Sequence, residues 1–386
     1  MNRVKQLLLI FFFICSSIQL YCQQNRKPSI KKNTRPIVRA AKDPVEIDYV
    51  FAYNFSNYSV EDGLGQRDAW TVFVDSRQIV WIGTYGGGLN KFDGKKITSL
   101  SKKDGLQDNI IWEILEDEDG NLWMATDGGL IMYDGKNFTL KLAENRLNGQ
   151  SVVRAICHGP GKTIWLGTAH TGIYLYDYIN DIIIDHVGSE DLIQMESIHV
   201  WSVEMDRDEN LWISLNRNGL AKYDGDRIIN YRADSCNLAH DLILDVFCDS
   251  RGRIWAATGK GASMFNGEDF ESYTSEDGLI GNWIHHIFES SSGEMYFCTH
   301  NSGITVYNDS KGFYKNITRK EGLGGLAVTY AAEDANKNIW FAHYGGVSKF
   351  EGEAFMHFYP NKADLDIRVH DILEDGRNTY FFATNM

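Results

Sequence analysis

Hydrophobic and polar positions along this 386-residue chain follow a short rhythm that repeats. A run such as IIWEILED (110–117) alternates apolar and polar residues with a period of two, as a half-buried strand does. It is followed by a polar turn, DEDGN, and a nearly continuous apolar strand, LWMAT. A glycine turn then leads into LIMYD, and a second glycine turn into FTLKL. The period excludes helical repeats of similar length, whose apolar positions fall three and four residues apart.

The whole pattern recurs. WIGTYGGGLNKFDG, WMATDGGLIMYDG, WLGTAHTGIYLYD, WISLNRNGLAKYDG, WAATGKGASMFNG, YFCTHNSGITVYN and WFAHYGGVSKFEG open at Trp81, Trp123, Trp165, Trp212, Trp255, Tyr296 and Trp340, and FFAT at Phe381 begins a partial eighth copy. Successive anchors lie 42, 42, 47, 43, 41, 44 and 41 residues apart. Asp75, Asp117, Asp206, Asp249, Asp334 and Asp375 stand six before the anchor, where an aspartate side chain caps a hairpin turn. Gly88, Gly129, Gly172, Gly219, Gly303 and Gly346 stand at the second hairpin.

Four short antiparallel strands per repeat predict an all-β protein, a β-propeller whose blades bury both faces by radial packing. Eight blades are expected, with seven as the alternative. The eighth unit stops after its second strand, while FSNYS (55–59) resembles a fourth strand, so an N-terminal strand would close the ring and remove its open edges. The expected organisation is an export signal over 1–22, a disordered basic linker over 23–47 and the propeller over 48–386. The signal reading rests on a basic MNRVK followed by LLLIFFFIC, too short to span a bilayer comfortably. Cleavage would leave no transmembrane segment and place the protein in the periplasm or outside the cell.

Charge narrows the partners. The formal net charge is -14, and the leader to residue 42 holds nine basic groups and no acid, which leaves 29 basic against 52 acidic groups in the remainder. Such a field disfavours nucleic acid and anionic lipid. Cys157, Cys236, Cys248 and Cys298 lack metal-type spacing and read as buried thiols, with one disulfide as the alternative. No nucleophile elbow, HExxH, phosphate loop or paired-cysteine zinc site is present, so neither enzyme activity, nor a cofactor, nor a metal is expected.

The W-x-G-T, G-G-L, Y-D-G and D-G-L elements resemble the two-component-regulator propeller repeats found in the periplasmic sensors of hybrid two-component systems, mainly of Bacteroidetes. The resemblance covers about residues 50–386. It implies a propeller that senses oligosaccharides, a homodimer in some members, and coupling to a membrane sensor kinase. The chain departs from the pattern in showing no second propeller, no immunoglobulin-like three-tyrosine domain, no kinase and no receiver.

Candidate site residues emerge from aligning the repeats on their anchors. Eleven positions before them stand Trp70, Trp112, Arg154, Trp201, Leu244, His285, Thr329 and His370, and ten before stand Thr71, Glu113, Ala155, Ser202, Asp245, His286, Tyr330 and Asp371. The second turns contribute Tyr85, Asp127, His170, Arg217, His300 and His343. Aromatic faces beside hydrogen-bonding groups suit a sugar, which offers an apolar C–H face and a rim of hydroxyls. The expected function is an exported sensor-type propeller that binds a carbohydrate or other small ligand at the channel mouth. A platform for a periplasmic or surface protein is the alternative, and a hydrolase or lyase using His285, with Glu113, Asp245 and Asp371 as partners, is a third. Adjacent strand residues face opposite ways, so His285 and His286 are not expected on one face.

Overall fold

The computed structural model describes residues 18–21, 37–39, 44–149, 151–188, 199–360, 368–374 and 379–385, with side chains from 53 to 352 inside those bounds. The chain divides into two compact units, 54–352 and a second made of 1–53 with 353–386. In the second unit Arg368–Glu374 and Thr379–Asn385 form an antiparallel hairpin. Ile18–Tyr21 pairs with Thr379–Asn385 and with Ile37–Arg39, which also pairs with Pro44–Tyr58. Two of these strands fall within the segments assigned from sequence to the export signal and linker. Asp375 lies outside the described residues.

Unit 54–352 is a ring of seven four-stranded antiparallel blades. Blade 2 is representative: Ile111–Glu116, Leu122–Thr126, Gly129–Tyr133 and Phe138–Leu142, running outward from the axis. The first strands of the blades are Ala69–Val74, Ile111–Glu116, Val153–His158, Val203–Met205, Ile243–Cys248, Ile284–Glu289 and Val328–Glu333. Each lies beside the next around the channel, and that of blade 7 lies beside that of blade 1. At this last junction Thr329 Oγ1 donates to Ala69 O at 3.1 Å, and Asp68 bridges Tyr344.

The expectation of eight blades is thereby corrected to seven. In blade 7 the third strand, Gly346–Pro360, runs straight through Glu351 and Gly352, where the other blades turn into a fourth strand. Residues 54–58, at the end of Pro44–Tyr58, fill that vacancy. Asn54 Nδ2 donates to Glu351 Oε2 at 2.7 Å, Phe55 and Phe350 pack at 5.1 Å, and Ser348 Oγ donates to Asn57 Oδ1 at 2.6 Å, an antiparallel register. The segment FSNYS is a fourth strand as expected, and an N-terminal strand does close the ring. It completes the seventh blade, and the partial eighth repeat belongs to the second unit.

The anchor residues are packing elements. Trp81, Trp123, Trp212, Trp255 and Trp340 are among the largest fully buried side chains. A buried indole has one N–H to satisfy, and in each of these blades the aspartate six residues earlier accepts it, at 2.8 to 3.0 Å. The other carboxylate oxygen caps the hairpin: Asp117 Oδ1 accepts the backbone N–H of Asp119 and Asn121 at 3.0 and 2.8 Å. Burial alone would raise these acids, yet the indole and backbone donors outweigh it and hold Asp206, Asp249 and Asp334 below the usual carboxylate range.

The second hairpin needs glycine for two reasons. Gly129 has φ +124°, and a Cβ there would collide with the Leu142 carbonyl oxygen on the fourth strand. Gly346 meets the Tyr58 carbonyl in the same way, which marks residues 54–58 as a true fourth strand. The Asp-Gly-Leu loops are likewise structural: Ser101 and Asp104 cap each other across one turn, and Leu106 is buried beneath it. All four cysteines with described side chains are free, with Cys157 and Cys298 buried. No helix of the described residues is long and apolar enough to cross a membrane.

Asp117→Ala leaves the Trp123 N–H buried without an acceptor and uncaps the hairpin. It is expected to cost about 2–3 kcal/mol in unfolding free energy, measured by urea denaturation. A change below about 0.5 kcal/mol would mean that the indole bond does not hold the blade.

Candidate functional site

Six of the seven first strands carry a β-bulge at the same place. Pairing with the second strand skips one residue, which is Trp70, Trp112, Arg154, Leu244, His285 or Thr329. In blade 4 the Ser214 hydroxyl accepts both the Trp201 and Ser202 N–H groups, at 3.1 and 3.0 Å. A bulge sets two residues of one strand against one of its partner and re-aims their side chains. Most residues at the aligned positions eleven and ten before the anchors therefore face the channel together.

One cavity collects Trp70, Trp112, Glu113, Arg154, Trp201, Ser202, Leu244, Asp245, His285, His286, Thr329 and Tyr330. The rule that adjacent strand residues face opposite ways is overturned here, since His285 and His286 line the same lumen. Thr71 is fully buried and Ala155 packs in the core. The side chains of His370 and Asp371 are not among those described.

The upper layer is aromatic and basic. Trp70 meets Trp112 edge-on at 4.9 Å and His285 at 5.2 Å. The Arg154 guanidinium sits in the corner of two perpendicular indoles, 4.1 Å from the Trp112 ring centre and 4.6 Å from that of Trp201. Trp112 Nε1 donates to Asp127 Oδ1 at 2.7 Å, which ties a second-turn residue to the lumen. Above stand Tyr85, 5.6 Å from Trp112 and half exposed, and His300, stacked at 4.9 Å on the exposed Trp283. Tyr344 reaches both Trp70 and His300, at 6.3 Å each. The rim is stitched between blades, because Tyr85 bridges Ile110 and Tyr344 bridges Asp68.

Three other residues expected at the rim do not line the cavity. His343 is buried, with Nε2 2.9 Å from Ser348 Oγ and its ring against Gly324 and Gly325, and it does not line the cavity. Arg217 projects from an exposed single turn, Asn216–Asn218. His170 packs on His199 at 4.8 Å. Trp283 and His199 both stand thirteen before an anchor, two residues upstream of the aligned rows, so an alignment at eleven and ten passes over them.

The lower layer is a belt of acids and their donors. Glu113 Oε2 accepts the Ile156 N–H of the next blade at 2.8 Å, and its Oε1 lies 3.0 Å from the Tyr330 hydroxyl across the channel. Asp245 accepts from Ser202 Oγ at 2.9 Å and the Ile287 N–H at 3.0 Å, with His286 Nδ1 2.8 Å away. The His286 and Tyr330 rings stack at 4.0 Å. Burial pushes Glu113 up to about 8, helped by the charges of Asp245 and Glu204 and opposed by the Ile156 and Tyr330 bonds. Glu204 is also pushed to about 8, by burial first and Asp245 second. It stands eight before its anchor, where the other inner strands carry Phe73, Leu115, Cys157, Phe247, Phe288 and Ala332. Burial lowers His285 to about 4, with His300 and His286 adding to the effect, so the imidazole is neutral near pH 7. Among the described residues no group of three or more His, Cys, Asp or Glu is placed to hold a metal ion.

The cavity measures about 40 Å3. That is room for a few waters, against the roughly 300–1,000 Å3 of a small-molecule pocket. A group as large as a sugar ring does not fit inside the cavity. Glu113 holds a proton in the folded state that the unfolded chain releases above about pH 4.5, so its contribution to stability falls as pH rises from there to about 8. Glu113→Gln is expected to flatten part of that decline in urea denaturation between pH 5 and 9. An unchanged slope would show that Glu113 is already ionised.

Known proteins share this fold. The model of the two component regulator propeller family matches residues 105–128. Histidine kinase P4 of Formosa agariphila is 23% identical over 48% of this chain and 15% of its own length. A structure described as the extracellular domain of hybrid two component system BT3049 of B. thetaiotaomicron superposes with a TM-score of 0.69 at 20% identity, over 86% of this chain and 46% of that one. This chain thus spans less than half of either relative. Virginiamycin B lyase from Staphylococcus aureus shares the fold with a TM-score of 0.59 at 12% identity, over 78% of this chain and 99% of that one. At such identities the solved structures show the fold alone. The resemblance carried by the repeat strings holds: residues 105–128 match the two component regulator propeller model, and the ring shares its fold with an extracellular domain of a hybrid two component system.

Proposed function

We propose that the protein is an exported sensor-type propeller that binds a carbohydrate at its channel mouth and passes that state to a two-component signalling partner. The observation that carries the reading is convergence. The half-exposed rings of Tyr85 and Trp283 rise above Trp70, Trp112 and Trp201 at one end of the ring, interleaved with Arg154, His285 and His300. Packing between blades does not require exposed aromatics there, whereas a sugar needs flat apolar faces beside donors and acceptors. The relation to extracellular sensor domains of hybrid two-component systems supports both the location and the signalling link.

Binding rather than catalysis suits the lumen. Glu113 and Asp245 each accept a backbone N–H from a neighbouring blade, so both are committed to holding the ring. His285, neutral and wedged against Trp70, is placed as a wall of the site.

A panel of neutral and acidic oligosaccharides tests the reading by thermal shift, because a ligand at 100 times its Kd adds about 2.7 kcal/mol of stability. Tyr85→Ala and Trp283→Ala alter exposed rings and should leave the fold intact. Each is expected to weaken binding about five- to tenfold by calorimetry. Absence of any shift across the panel, or equal affinity in both variants, would overturn the reading.

A further inference from the structure

The upper layer of the lumen holds donors that lack acceptors. Arg154 Nε and Nη1 and Trp201 Nε1 are all buried without a hydrogen-bond partner. Both groups are donors only, so neither can be satisfied by a neighbour that also donates. The indoles of Trp112 and Trp201, perpendicular to each other at 83°, both pack against the guanidinium and shield part of it from water. Burial lowers the Arg154 pKa, and Asp127 and then Tyr85 are the groups that oppose the effect. Asp127 does not satisfy these donors: its Oδ1 accepts from Trp112 Nε1 and its carbonyl from Ser151 Oγ, and neither Nε nor Nη1 of Arg154 reaches it. The remaining titratable neighbour, His199, has its own pKa lowered by burial, His170 and Arg154, and offers no negative charge. A cation desolvated in this way is costly unless an anion meets it.

We infer that the mouth selects an acidic sugar, with a ligand carboxylate entering the lumen beside Arg154 while the sugar ring stays on the aromatic rim. This deepens the reading of the mouth as a carbohydrate site and rests on it. The dimensions agree: about 40 Å3 holds roughly three waters, which is the size of a carboxylate and far below that of a sugar ring. Specificity is a matter of the surroundings, since a formal net charge of -14 repels anions that the site does not hold. A neutral sugar would leave the guanidinium unpaired and forgo the charge-assisted bonds that a carboxylate supplies.

The test uses fragments of polygalacturonate, alginate and hyaluronan beside the same fragments after chemical reduction of their carboxylates to hydroxymethyl groups. Binding to the full chain is measured by calorimetry at constant ionic strength. At least one acidic fragment is expected to bind ten or more times more tightly than its reduced form. Arg154→Gln should erase that ratio, and Arg154→Lys, which keeps the charge, should restore part of it; circular dichroism checks the fold of both. A merely structural arginine would weaken acidic and reduced fragments alike. If reduced fragments bind as well as acidic ones and Tyr85→Ala weakens both, the acidic preference is wrong and the carbohydrate site stands. If no fragment of either kind binds, both fall.

Discussion

A tryptophan buried between two sheets brings a large apolar surface and one N–H that water can no longer reach. The ring depends on meeting that donor. In five blades an aspartate six residues upstream meets it with one oxygen and closes the preceding hairpin with the other. One carboxylate thus links a local turn to the packing of neighbouring blades. The blades that lack the pair are those whose anchor or aspartate is replaced, with Gly159 before Trp165 and Ser290 before Tyr296.

With the first hairpin of the blade so fixed, the inner strand can carry irregularity. The recurring bulge interrupts the ladder in six of the seven blades and points two successive side chains into the lumen. The channel therefore receives nearly twice as many side chains as regular strands would supply. They sort by depth: aromatic and basic groups at the mouth, acids with backbone donors below. The lower belt holds adjacent blades together through Glu113 and Asp245.

Much of this was legible in the sequence. The repeat, the blade, the capping aspartates and the aligned rows that line the lumen come from spacing alone. The blade number did not, because FSNYS fits a fourth strand in any blade and only the straight run through Glu351 and Gly352 shows which blade lacks one. The shared face of His285 and His286 was hidden by a bulge that leaves no mark in the alternation of residues. His343 looked like a turn residue of the rim, yet Gly324 and Gly325 make room to bury it. The contact of Arg154 with both Trp112 and Trp201 joins residues from three successive blades, a relation that no single repeat displays.

The closure of blade 7 places residues 54 and 352, the two ends of the ring, on neighbouring strands. A body whose entry and exit coincide behaves as an insert: it can sit within a longer chain without setting the distance between the segments on its two sides. Tension applied at those ends would load the one seam sewn by Asn54, Phe55 and Asn57 inside blade 7 and leave the seven junctions between blades slack. Mechanically, the ring has a single clasp.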